Sequence, residues 1–321
     1  MIVIRALYGL KSTSVSFRSF MARKLDDMGF KSSKGDFDIW IRPVSKPDSH
    51  HYYEYVMLFV DNIMAASHNS LEMMKDISQG IKYKNDTIEP PTSYLGAKLT
   101  KKSLQNGKYC WSLSSDKYAN AAIANVDESV KKKGKKIPEK VRTPMTSSFI
   151  PELDSSCELN KDDITFYQEL IGILRWATEL GRADILHEVS ILSQYQASPR
   201  EGRLNELLHI FGYLKKRPKL SIYMDPSLPV IEYSDFTTKP QDFAEYYRDV
   251  REELPHNMPT SRGPNLSITV FVNASFAQDK KTRKSHTGFI IFVNRAPIKW
   301  LSKQQSTVET STFSAEFMAM K

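Results

Sequence analysis

The sequence predicts an α+β protein built from antiparallel hairpins and a separate helical stretch. Three observations carry that prediction. Runs rich in β-formers meet at compact turn signals, Asp61-Asn62 and Asn106-Gly107. Residues 161–216 keep helical spacing of apolar side chains throughout. After residue 266, three β-rich runs separated by short turns precede a final helical period. With 321 residues, 40% apolar and 26% charged, the chain can bury a core, and two or three domains are expected.

The elements follow in order. Phe17, Phe20, Met21, Leu25 and Met28 recur at helical spacing, which predicts a helix over 12–29. Tyr52 to Val60 and Ile63 to Ser67 read as a hairpin turning at Asp61-Asn62, since both residues tolerate positive φ. A helix is expected from Leu71 to Ile81. A second hairpin pairs 94–100 with 108–113, and Ser115 caps a helix running to Val126. Residues 129–160, rich in Lys, Ser and Pro, read as a connector. Leu170, Ile173, Leu174 and Ala177 form one helical stripe, and Leu204, Leu207, Leu208, Phe211 and Leu214 another. Residues 236–265 read as a polar inserted loop. Ile268 to Val272, Gly288 to Val293 and Pro297 to Trp300 read as a three-strand meander. Phe313, Phe317 and Met320 close the chain at helical spacing.

Charge and composition narrow the function classes. The formal net charge is +8. Lys98 to Arg142 holds twelve Lys/Arg against four Asp/Glu, so this stretch carries the whole excess. Its densest part, Lys131, Lys132, Lys133, Lys135 and Lys136, reads either as a solvated linker or as a contact for a phosphate backbone. Two cysteines exclude a disulfide scaffold and a four-cysteine zinc site. The apolar run Tyr55 to Val60 stops at Asp61, well short of the ~20 residues a spanning helix needs. An intracellular protein in cytoplasm or nucleus, with no membrane partner, is expected. The histidines show no paired ligand spacing, and His68, His187 and His209 read as surface or helix-packing residues. No Walker loop or nucleophile elbow occurs. Tyr52, Tyr53, Tyr55, Phe59 and Trp111 could stack on bases, but strand periodicity reads them as core.

Three groups of motifs remain. They are Ala6-Leu7-Tyr8-Gly9-Leu10-Lys11-Ser12; Leu58-Phe59-Val60-Asp61-Asn62; and a C-terminal series. That series runs Phe271-Val272-Asn273-Ala274-Ser275, Arg283-Lys284-Ser285-His286-Thr287-Gly288, Pro297-Ile298-Lys299-Trp300, Ser302-Lys303-Gln304-Gln305 and Ser314-Ala315-Glu316-Phe317. Between them lie Tyr94-Leu95-Gly96, Thr143-Pro144-Met145, Tyr167-Gln168-Glu169-Leu170-Ile171-Gly172 and Arg182-Ala183-Asp184-Ile185. In this order the set resembles the polymerase region of copia-type LTR retrotransposons, over nearly the whole chain except 236–265.

The resemblance implies an architecture. Residues 1–128 would be a partial reverse-transcriptase palm and thumb, 129–160 a connector, 161–235 a helical connection region, and 266–321 the N-terminal part of a ribonuclease H-like domain. It implies two Mg²⁺ ions at each centre, an RNA/DNA template–primer as partner, and no small-molecule cofactor. Lys11 and the lysines 131–133, 135 and 136 are the expected nucleic-acid contacts. Asp61 matches the first hairpin-tip carboxylate and a metal ligand. Asn62 stands where the family has a second Asp. Asn273 occupies the first ribonuclease H ligand position and Ser275 the next acidic one, while Glu316 matches the helix glutamate and a metal ligand. The third polymerase carboxylate is expected upstream of Met1 and further nuclease ligands beyond Lys321. Hard cations need clustered carboxylates, so the expectation is an inert chain. A non-catalytic nucleic-acid-binding module, and an enzyme completed in trans, are the rival readings.

Overall fold

The structure, a computed structural model, describes residues 11–60, 62–81, 88–105, 107–230 and 255–321, with side chains from Val15 onward. Residues 6–10 of the first motif, Asp61, Asn106 and the 236–254 part of the inserted loop lie outside the described residues. The described residues fall into two units. One runs to Pro91 and includes 255–265; the other runs from Thr92 to 230 and includes Leu266–Lys321.

The first unit contains α1 (Lys11–Asp27), β1 (Lys31–Ser32), β2 (Ile39–Ser45), β3 (His51–Phe59), β4 (Asn62–Ala66) and α2 (Ser70–Ser78). The strands form one antiparallel sheet in the order β1-β2-β3-β4. Met21 and Leu25 of α1, Met73 and Ile77 of α2, and Phe30, Trp40, Val56 and Leu58 make its core. On β3 the inward set is Glu54, Val56 and Leu58; Tyr55 and Phe59 are exposed, and Tyr52 and Tyr53 half-exposed. The core reading of those four aromatics is therefore corrected: Tyr53, Tyr55 and Phe59 occupy the opposite parity, and Tyr52, though of inward parity, lies half-exposed near the strand's start. Buried Glu54 is matched by Arg42, whose Nε and Nη2 donate to Oε2 at 3.0 and 2.6 Å. Asn69 caps α2 by accepting the Glu72 N–H. β2 has no clear alternation in sequence and contains Pro43. Proline fits there because two-residue β1 pairs only with Trp40 and Ile41, leaving the strand locally an edge. The described end of the inserted loop lies on this unit, with the Tyr53 hydroxyl donating to the Thr260 carbonyl at 2.6 Å.

The second unit contains β5 (Ser93–Tyr94), β6 (Ala97–Ser103), β7 (Tyr109–Ser114), α3 (Asp116–Lys132), α4 (Lys161–Glu179), α5 (Leu186–Leu192), α6 (Glu201–Lys216), β8 (Ser221–Met224), β9 (Ile268–Ser275), β10 (His286–Val293), β11 (Ala296–Gln304) and α7 (Thr312–Met320). One sheet runs β5-β6-β7-β8 and another β11-β10-β9, every pairing antiparallel. Trp111 is exposed on β7, so its core reading is corrected as well.

Helices α3, α4, α5 and α6 share one core. The predicted stripes hold: Leu170, Leu174 and Ala177 are buried, Ile173 packs against them, and all five stripe residues of α6 are inside. The α3 helix passes the expected end at Val126, because Ala119, Ile123, Val126 and Val130 continue one buried stripe. It thereby takes Lys131 and Lys132 into its last turn, where cations suit the helix dipole. The stretch read as a connector is also anchored. Ile137 and Val141 belong to the helical core, and the Pro138 backbone lies against α6 at Gly212. A Cβ there would sit 2.3 Å from the Pro138 carbonyl oxygen, so only glycine permits the approach.

Arg182 is completely buried. Its Nε and Nη2 donate to the two Asp184 oxygens at 2.9 and 2.8 Å, and Nη1 donates to the Arg217 carbonyl at 2.8 Å. The Arg182-Ala183-Asp184-Ile185 motif is thus a packing device that ties α4 to the end of α6. Tyr167, also fully buried, donates its hydroxyl to the Leu192 carbonyl at 2.8 Å, and burial pushes its pKa up.

Candidate catalytic centres

The first centre is the β3–β4 hairpin end. Phe59 pairs with Asn62, so Asn62 is the first residue of β4 and not part of the turn, which corrects the Asp61-Asn62 placement. Val60 adopts φ +54°, a left-handed conformation that costs a β-branched residue of order 1–3 kcal/mol. Such strain persists only where surrounding structure enforces it, here the β3–β4 ladder. A cavity of about 190 Å³ beside the hairpin end is lined by Val15, Phe17, Arg18, Asp38, Leu58 and Val60. Asp38 is held by Arg18, whose Nε donates to Oδ1 at 2.6 Å. Sequence reasoning missed this pair, since Asp38 sits in the unpredicted β2 region. Asp61 lies outside the described residues, as does any geometry linking it to Asn62. The Lys11 backbone begins α1.

The second centre lies where α7 meets β9. A capping box starts α7: Ser311 accepts the Ser314 N–H at 3.1 Å, and Ser314 in turn accepts the Ser311 N–H at 3.3 Å. One turn later Glu316 is half-buried, and its Oε2 accepts the Ala274 backbone N–H at 3.0 Å. Asn273 and Ser275 flank Ala274. The fold therefore brings Glu316 to the strand position between the two residues matched to it in sequence. Asn273 is exposed. The Ser275 hydroxyl donates to Gln278 Oε1.

The chemistry of this donor set is poor for hard cations. Asn273 and Ser275 are neutral, and one oxygen of the single carboxylate is engaged by a backbone amide. Two Mg²⁺ ions do not fit such a set. Among the described residues no three His, Cys, Asp or Glu side chains converge as metal ligands.

Nearby, α5 and the β10–β11 pair hold a polar cluster that sequence spacing could not reveal. The His187 and His286 rings lie edge-to-face with centroids 4.9 Å apart. The Ser302 hydroxyl stands 2.9 Å from His286 Nε2 and 3.4 Å from His187 Nδ1. Ser190 donates to the Ser302 carbonyl at 2.7 Å. Burial, and secondarily the His187 charge, lowers the His286 pKa to about 4; burial also lowers that of His187. These neutral imidazoles pack the helix onto the sheet.

The lysine run is largely matched by acids. Lys131 pairs with Asp127 and Lys132 with Glu128, each at 2.7 Å, and Lys133 pairs with Asp163 at 2.6 Å. The Lys131 hydrogen bond holds the Asp127 carboxyl below its usual range, and Lys133 does the same to Asp163, helped by the charge of Lys135. Lys136 is exposed. Lys215 of α6 adds its charge near Asp127, a convergence invisible in linear sequence.

No helix among the described residues is long and apolar enough to cross a membrane. No protein-family model matches the chain, and no solved structure matches it. The chain is 25% identical over 322 residues to a retrovirus-related Pol polyprotein from transposon RE1 of Arabidopsis thaliana, covering 98% of this chain and 18% of that protein. It is 22% identical to the Pol polyprotein from transposon RE2 of the same plant, again spanning 18% of it. A putative transposon Ty5-1 protein of Saccharomyces cerevisiae is 23% identical, with 97% of this chain and 84% of that protein covered. The chain thus spans under a fifth of the plant polyproteins but most of the yeast relative. With motifs in family order and similarity along almost its full length, the chain is similar to a fragment of the Pol polyproteins of copia-type retrotransposons.

Proposed function

We propose that the chain is a reverse transcriptase and ribonuclease H portion of such a polyprotein, and that it is catalytically inert by itself. On this reading the first unit corresponds to part of the polymerase palm. The helical core corresponds to thumb and connection, and β9–β10–β11 with α7 to the start of a ribonuclease H-like domain. The partner class is an RNA/DNA template–primer.

The observation that carries inertness is the replacement of acids by neutral groups at matched positions. Asn62 stands at the hairpin end, and Asn273 and Ser275 flank the strand amide that engages Glu316. Each Asp-to-Asn change keeps shape but removes a negative charge, and paired divalent ions depend on that charge. A role in nucleic-acid binding alone is less well supported, because Lys131, Lys132 and Lys133 already hold carboxylates.

The test is primer extension and RNA–DNA hybrid cleavage with purified chain in Mg²⁺ or Mn²⁺. Neither product is expected. Incorporation that disappears in Asp61→Ala, or cleavage that disappears in Glu316→Gln, would overturn the reading.

A further inference from the structure

A cavity of about 240 Å³ opens within the second unit, between residues 145–152, the end of α5 with Gln194 and Tyr195, and the β9–β10 loop. None of Asn273, Ser275 and Glu316 lines it, and the proposed polymerase and nuclease chemistry does not use it. Part of the lining is apolar. Phe149, Ile150 and Phe276 contribute to it, and Ile150 and Phe276 stay 39% and 37% exposed. Large apolar groups left open along a concavity favour an apolar occupant.

The walls are held in place. The Arg203 guanidinium stacks 3.9 Å from the Tyr195 ring centroid. Asp279 fixes the β9–β10 loop: its Oδ1 accepts the Lys281 and Thr282 N–H groups at 2.9 and 2.7 Å, and its Oδ2 accepts from Gln304 Nε2 at 3.0 Å. The Lys280 N–H donates to Glu152 Oε1 at 2.7 Å, which ties the loop to the 145–152 wall. A site formed in advance pays little ordering cost on binding. The charges around it are unequally used. Asp279 is satisfied by three donors, and Glu152 has one oxygen engaged. Lys280 and Lys284 also line the cavity, and neither ammonium has a hydrogen-bond or ion-pair partner among the described residues. Lys284 is half-buried, so its ammonium has lost part of its water. An ammonium only donates, so these two groups call for an anion.

We propose that this cavity binds a small aromatic carboxylate, its ring against Phe149, Ile150 and Phe276 and its carboxylate on the ammonium groups of Lys280 and Lys284. A flat ring suits a wall with two phenylalanines, and a carboxylate accepts charge-assisted hydrogen bonds from both lysines. An inorganic anion would leave the apolar wall unused, and an amine would meet two cations. The volume lies below the ~300 Å³ at which drug-sized pockets begin, so the occupant is one ring with a short acid arm. The second oxygen of Glu152 opposes the ligand's charge, which gives the site a sign that can be tested.

The test is isothermal titration calorimetry of the full chain with cinnamate, and with neutral cinnamamide as its isostere, at about 50 mM salt. Cinnamate is expected to bind one to one with a Kd near ~1 mM, as suits a ligand of its size, and cinnamamide at least about tenfold more weakly. Lys284→Gln is expected to weaken cinnamate about tenfold. Glu152→Gln, which keeps an acceptor for the Lys280 N–H, is expected to tighten it about two- to threefold. No cinnamate binding, equal binding of cinnamamide, or an unchanged Kd in Lys284→Gln with wild-type circular dichroism overturns the proposal. So does weaker cinnamate binding in a folded Glu152→Gln chain. If either variant does not fold, the comparison of cinnamate with cinnamamide on wild type decides.

Discussion

Arg182 and Asp184 offer an asymmetric test of what holds the second unit together. Both belong to a motif that could be mistaken for functional. Arg182 has no exposed side-chain surface, whereas Asp184 keeps 24% of its side chain exposed. Removing one partner of a buried pair costs about 3–5 kcal/mol, because the other charge is stranded. The two single changes are therefore unequal. Asp184→Leu strands a guanidinium that has no exposed surface and keeps just the Arg217 carbonyl and the face of the Tyr213 ring among the described residues, so it falls at the top of that range. Arg182→Met leaves a carboxylate that can turn to solvent, and costs roughly 2–3 kcal/mol through the orphaned Arg217 carbonyl and the broken pair. The double replacement Arg182→Met with Asp184→Leu recovers most of the Asp184→Leu loss, since no charge is stranded. Urea unfolding followed by circular dichroism, with all four proteins compared at one pH, measures the cycle. Equal single costs, or an Asp184→Leu cost below about 1 kcal/mol, would refute the buried tether.

Two other predictions follow from named contacts. His286 has a pKa lowered to about 4 from an ordinary value of 6.5. Its neutral form therefore favours the fold above pH 6.5, and that contribution is lost as pH falls through 4, by up to about 3 kcal/mol; His286→Asn should flatten the stability profile between pH 7 and 4. Gly212→Ala drives a methyl into the Pro138 carbonyl and should cost about 1–3 kcal/mol through overpacking, whereas Gly107→Ala, with no atom within 4 Å of its added Cβ, should cost only the strain of its positive φ; paired urea melts compare them.

What sequence could say depended on how each signal is encoded. Helices α4 and α6 were legible because Leu170, Leu174, Leu204, Leu207 and Leu208 face one core and repeat at helical spacing. The β3–β4 hairpin was legible except at its tip, where Asp61-Asn62 suggested a turn and the ladder instead reaches Asn62. Strand β8 escaped notice because Ser221–Met224 is four residues long and owes its state to pairing with β7. The end of α3 was hidden because the lysine run reads as linker, although Val130 extends the buried stripe. At the candidate centres, only the family pattern linked Asn273 with Glu316; no local periodicity does so. The Arg18–Asp38 pair and the His187–His286 contact join segments distant in sequence, so spacing alone could not find them.

The central claim is that neutral groups in place of acids leave these centres unable to hold paired divalent ions. Electron paramagnetic resonance of the full chain titrated with Mn²⁺ tests it directly. The expected spectrum shows free and singly bound ions only, while Asn273→Asp raises affinity at the β9–α7 centre. A spin-coupled Mn²⁺ pair in the wild-type chain, lost in Glu316→Gln or in Asp61→Ala, would contradict it.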